Sequence, residues 1–262
     1  MHMKQSFTWW SFAGRGLGDE ELLAGARKIG YEGVELLPTA LFEQARDHGF
    51  TIASHGGHES IEAGFNNPAD HARIFREIEA NLELALKFGI PNLIVFSGHR
   101  RPDQSDAEGA RVITDGVRRI AGAAEKAGVT LVMELLNSKV DHPGYQCDHS
   151  CWLMPIIDEI DSPRFKALYD VYHMQIMEGD LVRTIEANAS RIAHIHTAGN
   201  PGRHELVGAR QEIFYPAVFR AIAASGYDGF VCHELIPTGN PLDALREAYM
   251  LCRESVEQAA AV

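Results

Sequence analysis

The stretch YDVYHMQIMEGD, residues 169–180, sets an acid, Asp170, three residues ahead of His173 at the close of an apolar run. Such runs read as strands, and a packed strand end favours Val or Leu over an ionisable group. The placement recurs along the chain. Strand-like runs end near Glu35, at His55, at Ser97-Gly98-His99, with Glu134 and Asn137, with Asp170 and His173, with His194 and His196, and with His233 and Glu234. Each alone has an ordinary account, as a hydrogen-bonded core histidine or, for Asp170, as a cap on the next helix. Together, Glu134, Asp170, Glu234 and one histidine of the 192–199 run make a carboxylate-rich set that repels itself unless a cation sits among it. Three carboxylates and an imidazole suit Mn²⁺, Mg²⁺ or Co²⁺. His194 and His196 share a strand face. His196 is nearer the loop and is the expected ligand, which leaves His194 as a buried structural group or one that supports a ligand from behind. His233 and Glu234 face opposite ways, with Glu234 expected to point inward.

Holding these residues at one level needs a repeating unit. Period and breakers give strands over 6–10, 33–37, 51–56, 92–98, 130–137, 165–173, 192–199 and 229–235. Helices alternate with them over 19–29, 41–48, 68–88, 105–127, 149–160, 179–189, 215–225 and 241–259. The strands are nearly continuous apolar runs, as a parallel sheet covered by helices demands. Eight such repeats predict an α/β fold, a single (β/α)8 TIM barrel over 1–262, with its site at the C-terminal ends of the strands. An open doubly wound sheet is the runner-up, but Gly14, Gly16 and Gly18 do not have G-x-G-x-x-G spacing. Gly30-Tyr31-Glu32-Gly33 and Gly226-Tyr227-Asp228-Gly229 echo one another as helix stops and imply no ligand.

The 24 basic and 36 acidic residues give a formal charge of −12, with no Lys/Arg run longer than a pair. That balance disfavours nucleic acid and anionic membranes as partners. Cys147, His149 and Cys151 could suggest half a zinc site, but no second pair follows at finger spacing, and four cysteines are no disulfide scaffold. No apolar run approaches the ~20 residues of a membrane span. The N-terminus has neither the basic region nor the apolar core of a signal peptide. A cytoplasmic protein is the expectation.

At YDVYHMQIMEGDL (169–181), HIHTAGNPGRHE (194–205), MELLNSKVDHPGY (133–145) and CHELIP (232–237), the chain resembles the xylose-isomerase-like TIM-barrel superfamily, and within it the hydroxypyruvate isomerases. The resemblance implies one divalent metal on Glu134, Asp170, His196 and Glu234, with Glu134 and Glu234 as the acid/base pair. It places His173 and Arg203 on substrate oxygens, and His55 and His99 are expected beside them as substrate contacts. Two departures lie near the expected substrate mouth. Hydroxypyruvate isomerases tend to carry Gln where this chain has His196, while related ketose 3-epimerases carry His. The family's G-x-G-E-I-x-Y loop stands here as GARQEIFY (208–215). The implied chemistry is proton transfer through an enediolate on a small sugar or sugar-acid substrate, hydroxypyruvate or a related 2-oxo acid. Returning the proton to the adjacent carbon isomerises; returning it to the other face of the same carbon epimerises. An abasic-site endonuclease on the same barrel and a non-catalytic sugar-binding protein are the rival classes. Barrels of this branch also associate, so a homo-oligomer fits the resemblance.

Overall fold

A computed structural model describes residues 2–209 and 211–259, so Arg210 of the 208–215 loop, and Met1 and residues 260–262 of the expected domain, lie outside the described residues. Two compact units form, one from residues 2–53, 180–189 and 194–259, the other from 54–179 and 190–193.

In the first unit, β1 (Lys4–Thr8) leads directly into a one-turn helix, α1 (Trp9–Phe12). The expected 6–10 strand therefore starts and stops two residues early, and Trp9 and Trp10 are helical. Three acids open α2 (Asp19–Ile29), two bases close it, and Gly30 follows with φ 129°. That polarity complements the helix dipole. Next come β2 (Gly33–Glu35), a 3₁₀ turn over Thr39–Leu41, α3 (Phe42–Asp47) and β3 (Thr51–Ile52). Gly33 is required where it stands, because a Cβ there would lie 2.8 Å from Ser6 Cβ.

The second unit opens on β4 (Ser54–Gly56), so the expected 51–56 strand is two short strands. Ala53, between them, still donates its N–H to Val34 O at 3.0 Å, whereas Ser54 takes up the ladder with Asn92. Nine strands rather than eight result among the described residues. Helix α4 (His71–Phe88) begins three residues later than its sequence suggests. The Asn67 carboxamide accepts Ala69 N–H and donates to Asp70, holding residues 67–70 in a turn. After β5 (Asn92–Val95), α5 (Asp106–Ala127) starts from a capping box. Ser105 Oγ accepts Glu108 N–H, and the Glu108 carboxylate accepts Ser105 N–H. Strand β6 (Thr130–Glu134), α6 (Ser150–Ile160), β7 (Phe165–Asp170) and α7 (Val171–Met177) complete this unit's regular elements.

Returning to the first unit, the chain forms α8 (Leu181–Asn188), β8 (Ile192–Thr197, beginning in the second unit), α9 (Tyr215–Ala224), β9 (Phe230–His233) and α10 (Pro241–Ala259). All ladders are parallel. The order is β3-β2-β1-β9-β8 in the first unit and β7-β6-β5-β4 in the second.

Each unit has its own buried core. In the first, Phe7 meets Phe12, Tyr31 and Phe50 edge-to-face at 5.5–6.1 Å, and Tyr31 OH donates to Leu245 O. In the second, Ile74, Ile78 and Leu82 of α4 and Ile113, Val117 and Ile120 of α5 are buried. Burying each such side chain contributes roughly 1.5–3 kcal/mol. No helix among the described residues is long and apolar enough to cross a membrane.

Candidate active site

The first unit carries His196, Glu234 and Arg203. Glu234 follows β9 by one residue, and its N–H donates to Thr197 O at 2.9 Å, which fixes it beside the end of β8. Three of its carboxylate's partners lie in this unit. Trp10 Nε1 donates to Oε1 at 3.1 Å, Arg203 Nη2 donates to Oε2 at 2.5 Å, and His196 Nδ1 lies 3.0 Å from Oε2. The Arg203 guanidinium also lies over the Trp10 ring, 5.3 Å from its centroid. Arg203 sits at φ 59°, after Gly202 at φ 92°, and its carbonyl accepts Ile236 N–H. The loop around it borders a cavity of about 560 Å³ lined by Pro201, Gly202, His204, Glu205, Gln211 and Thr238, among others.

Beneath Glu234, the other imidazole nitrogen of His196, Nε2, lies 3.4 Å from Glu35 Oε2. His194 Nε2 lies 2.7 Å from the same oxygen, and Ser6 Oγ donates to Oε1 at 2.5 Å. Glu35, His194 and His196 are all 0% exposed. His194 Nδ1 has no hydrogen-bond partner, so the neutral form carrying its proton on Nε2 is the one that avoids an orphaned buried N–H. Burial works against ionising Glu35, yet His194 and His196 beside it hold its carboxyl well below the usual range. Glu35, His196 and Cys232 offer ligand atoms within 4.8 Å of one another. Burial, reinforced by Glu35, pushes the Cys232 thiol well up, however, and a thiol that keeps its proton is a poor metal ligand.

His233 is a core residue. Its Nδ1 lies 2.8 Å from Thr197 Oγ1 and its Nε2 2.9 Å from Gln5 Oε1, while burial lowers its pKa to about 3.

The second unit carries Glu134, Asp170, His173, His55 and His99. Glu134 is the last residue of β6, 6% exposed, and its carbonyl accepts Tyr145 O–H at 2.9 Å. Asp170 ends the neighbouring strand β7 at 1% exposure. Its Oδ1 accepts His173 N–H at 3.0 Å, capping α7. The expected 165–173 strand therefore stops at Asp170, and His173 is helical. Tyr172 and His173 could extend an apolar strand equally well, but the cap decides for the helix.

The His173 ring is oriented by Asn137. Asn137 Oδ1 accepts Val140 and Asp141 N–H, which turns its Nδ2 toward Asp141 Oδ2 at 2.7 Å and His173 Nδ1 at 2.6 Å. Asn137 N–H reaches the same Nδ1 at 3.1 Å. A nitrogen facing two donors carries no proton, so His173 holds its own on Nε2, the nitrogen 3.7 Å from Asp170 Oδ2.

His55 lies half-buried in β4, its pKa lowered by burial. His99 lies in the loop after β5, with its carbonyl taking Asn66 Nδ2 and its N–H on Glu62 O. Cys147 is buried and Cys151 exposed, and they belong to no candidate metal group among the described residues.

Sequence reasoning left Trp10, Ser6 and Asn137 without a site role. Trp10 gave no signal, since it read as strand. An acid at the end of the buried run 33–37 did mark Glu35, although no role followed from that mark alone.

The family model of the xylose isomerase-like TIM barrel matches residues 23–254. A putative hydroxypyruvate isomerase of Homo sapiens is 28% identical over 236 residues, 84% of each chain. A 2-oxo-tetronate isomerase of Pectobacterium atrosepticum is 30% identical over 170 residues, covering 65% of this chain and 64% of its own. Among solved structures, one titled AP endonuclease, family 2, from Brucella melitensis superposes with a TM-score of 0.80 at 25% identity, covering 93% of this chain and 97% of that one. An L-ribulose 3-epimerase superposes equally well, at 0.80, with 19% identity and 99% and 96% coverage, a likeness of fold. The strand ends gather acids and imidazoles, the βα repeats run the length of the chain, and the match spans nearly all of it: the chain belongs to the xylose isomerase-like TIM-barrel family.

Proposed function

We propose that the chain is a divalent-metal-dependent aldose–ketose isomerase acting on hydroxypyruvate or a related small 2-oxo sugar acid, with residues 1–262 serving as one catalytic domain. The observation that carries this reading is that Glu134, Asp170, His196 and Glu234, each within one residue of the end of one of four parallel strands, are each no more than 6% exposed. Apolar residues would be cheaper there. The relatives named as hydroxypyruvate and 2-oxo-tetronate isomerases support the substrate class.

The donor set fits a metal. Three carboxylates and an imidazole are the hard and borderline donors that Mn²⁺, Mg²⁺ or Co²⁺ takes, and in our reading all four hold one ion. Bound there, the ion would supply Lewis-acid polarisation of the substrate carbonyl, which acidifies the neighbouring C–H. One of Glu134 and Glu234 would remove that proton, and return of a proton to the adjacent carbon of the enediolate completes isomerisation. His173, with its proton on Nε2, would donate to a substrate oxygen. Arg203 would take the substrate carboxylate, whose two oxygens a guanidinium can bind together. Its bond to Glu234 ties that acid-binding group to the proposed base. His55 and His99 would line the substrate path.

A ketose 3-epimerase is the second reading, favoured by His196 standing where hydroxypyruvate isomerases tend to carry Gln. A nuclease would need a basic surface to track phosphates, and a charge of −12 opposes it. The test is proton NMR in D₂O with Mg²⁺-supplemented protein on hydroxypyruvate, 2-oxo-tetronates and ketohexoses. We expect loss of the hydroxypyruvate CH₂ signal and growth of its aldehyde isomer. Deuterium entering only ketohexoses at C3 would establish the epimerase instead, and no exchange on any substrate would leave a binding protein.

A further inference from the structure

We propose that Glu35 is a positioning residue for His196: it accepts the imidazole Nε2–H and so presents Nδ1, as a lone pair, to the cation. The inference rests on the metal-dependent reading above. His196 stands between two carboxylates, with Nδ1 3.0 Å from Glu234 Oε2 and Nε2 3.4 Å from Glu35 Oε2. A neutral imidazole has one N–H and can donate to only one of them. The two carboxylates are held differently.

Glu35 is fully buried on β2, opposite Thr8 of β1, with Ser6 Oγ on one oxygen and His194 Nε2 on the other. Both partners sit on strands, Ser6 on β1 and His194 on β8. Glu234 lies past the end of β9 and is held by two groups from outside the sheet, Trp10 of α1 and Arg203 of a loop. In the proposed metal site Glu234 is a fellow ligand and Glu35 is not, so the Nδ1 side of His196 faces the ion and its Nε2 side faces Glu35. A buried carboxylate behind a histidine fixes its tautomer and ring plane and raises the basicity of the nitrogen facing the metal. His194 belongs to the same device. By donating Nε2–H to the shared oxygen, it keeps Glu35 aligned without competing for the ion.

The experiment is a Mn²⁺ titration of the metal-free full chain, with free Mn²⁺ read by electron paramagnetic resonance and folding by thermal melt. Glu35→Gln is expected to bind Mn²⁺ about 10–100-fold more weakly while still melting cooperatively. His196→Ala checks the underlying reading. If it binds Mn²⁺ as tightly as the wild type, His196 is no ligand and the metal site as proposed falls. If His196→Ala weakens binding and folded Glu35→Gln does not, the role of Glu35 alone falls. Should Glu35→Gln not fold, wild-type protein labelled with ¹⁵N-histidine and titrated with Mg²⁺ decides. A proton on Nε2 of His196 with the Nδ1 resonance shifting supports the proposal, and a proton on Nδ1 in the Mg²⁺ form overturns it.

Discussion

Glu234, the proposed base, has an anchor's surroundings. Trp10 and Arg203 fix both its oxygens, and His196 adds a third neighbour. Replacing it with Gln keeps the shape and removes the proton-transfer group. We expect Glu234→Gln to fold and to lose turnover by at least about 10²-fold, the scale of positioned acid/base catalysis; near-native kcat would take Glu234 out of the mechanism. At this scale the sequence was readable for residue type and poor for partner. That Glu134, Asp170, His196 and Glu234 are polar groups at strand ends follows from their runs alone. That Arg203 meets Glu234 does not, because a Gly-Arg loop at positive φ can aim its side chain in several directions and no periodicity governs it. His173 is the converse case. Its place is legible only once Asp170 is known to cap α7, and its protonated nitrogen only once Asn137 is seen to donate to the other one.

Elements were legible wherever a start or stop signal has one physical meaning. Helix α5 is the clearest, since Ser105 followed three residues later by Glu108 is a capping box and Gly128 closes the helix at φ 70°. Ser105→Ala should therefore cost about 1 kcal/mol, within the 0.5–2 kcal/mol range of such caps, measured by urea unfolding. An unchanged midpoint would mean that tertiary packing alone sets that boundary. Strand ends were overrun instead. The runs 92–98, 130–137, 165–173 and 229–235 continue as apolar sequence after the ladders stop at Val95, Glu134, Asp170 and His233. Residues past those points are buried all the same, Leu135, Leu136, Val171 and Leu235 among them, so hydrophobicity reports burial there and not pairing. The break at Ala53 was invisible for a similar reason: TIASHG has a strand's composition throughout, and only the change of ladder partner divides it.

For the molecule as a whole, two buried histidines tie stability to acidity. His233 in the first unit is held at about 3 and His58 in the second at about 4, both by burial, against an ordinary 6.5. Both are neutral in the folded chain, and the unfolded chain takes up protons on them as pH falls through 6.5. Their contribution is whole at neutral pH and drains away between about 6.5 and 3. Thermal melts should give a lower midpoint at pH 5 than at pH 7; a higher one at pH 5 would contradict the neutral, buried assignment.

The connections on the two sides of the strands are unlike. Those from helix to strand are terse, such as Gly30 to Glu32 or Gly128 and Val129, and turn on glycines with positive φ. Several of those from strand to helix are long, such as 57–70, 96–105, 135–149 and 198–214, and they carry Asn137 and Arg203, although β1 and β7 run straight into their helices. Substitutions along the long connections leave untouched the tight ones on which the packing of helix against strand depends, so those connections are where the chain has most room to vary.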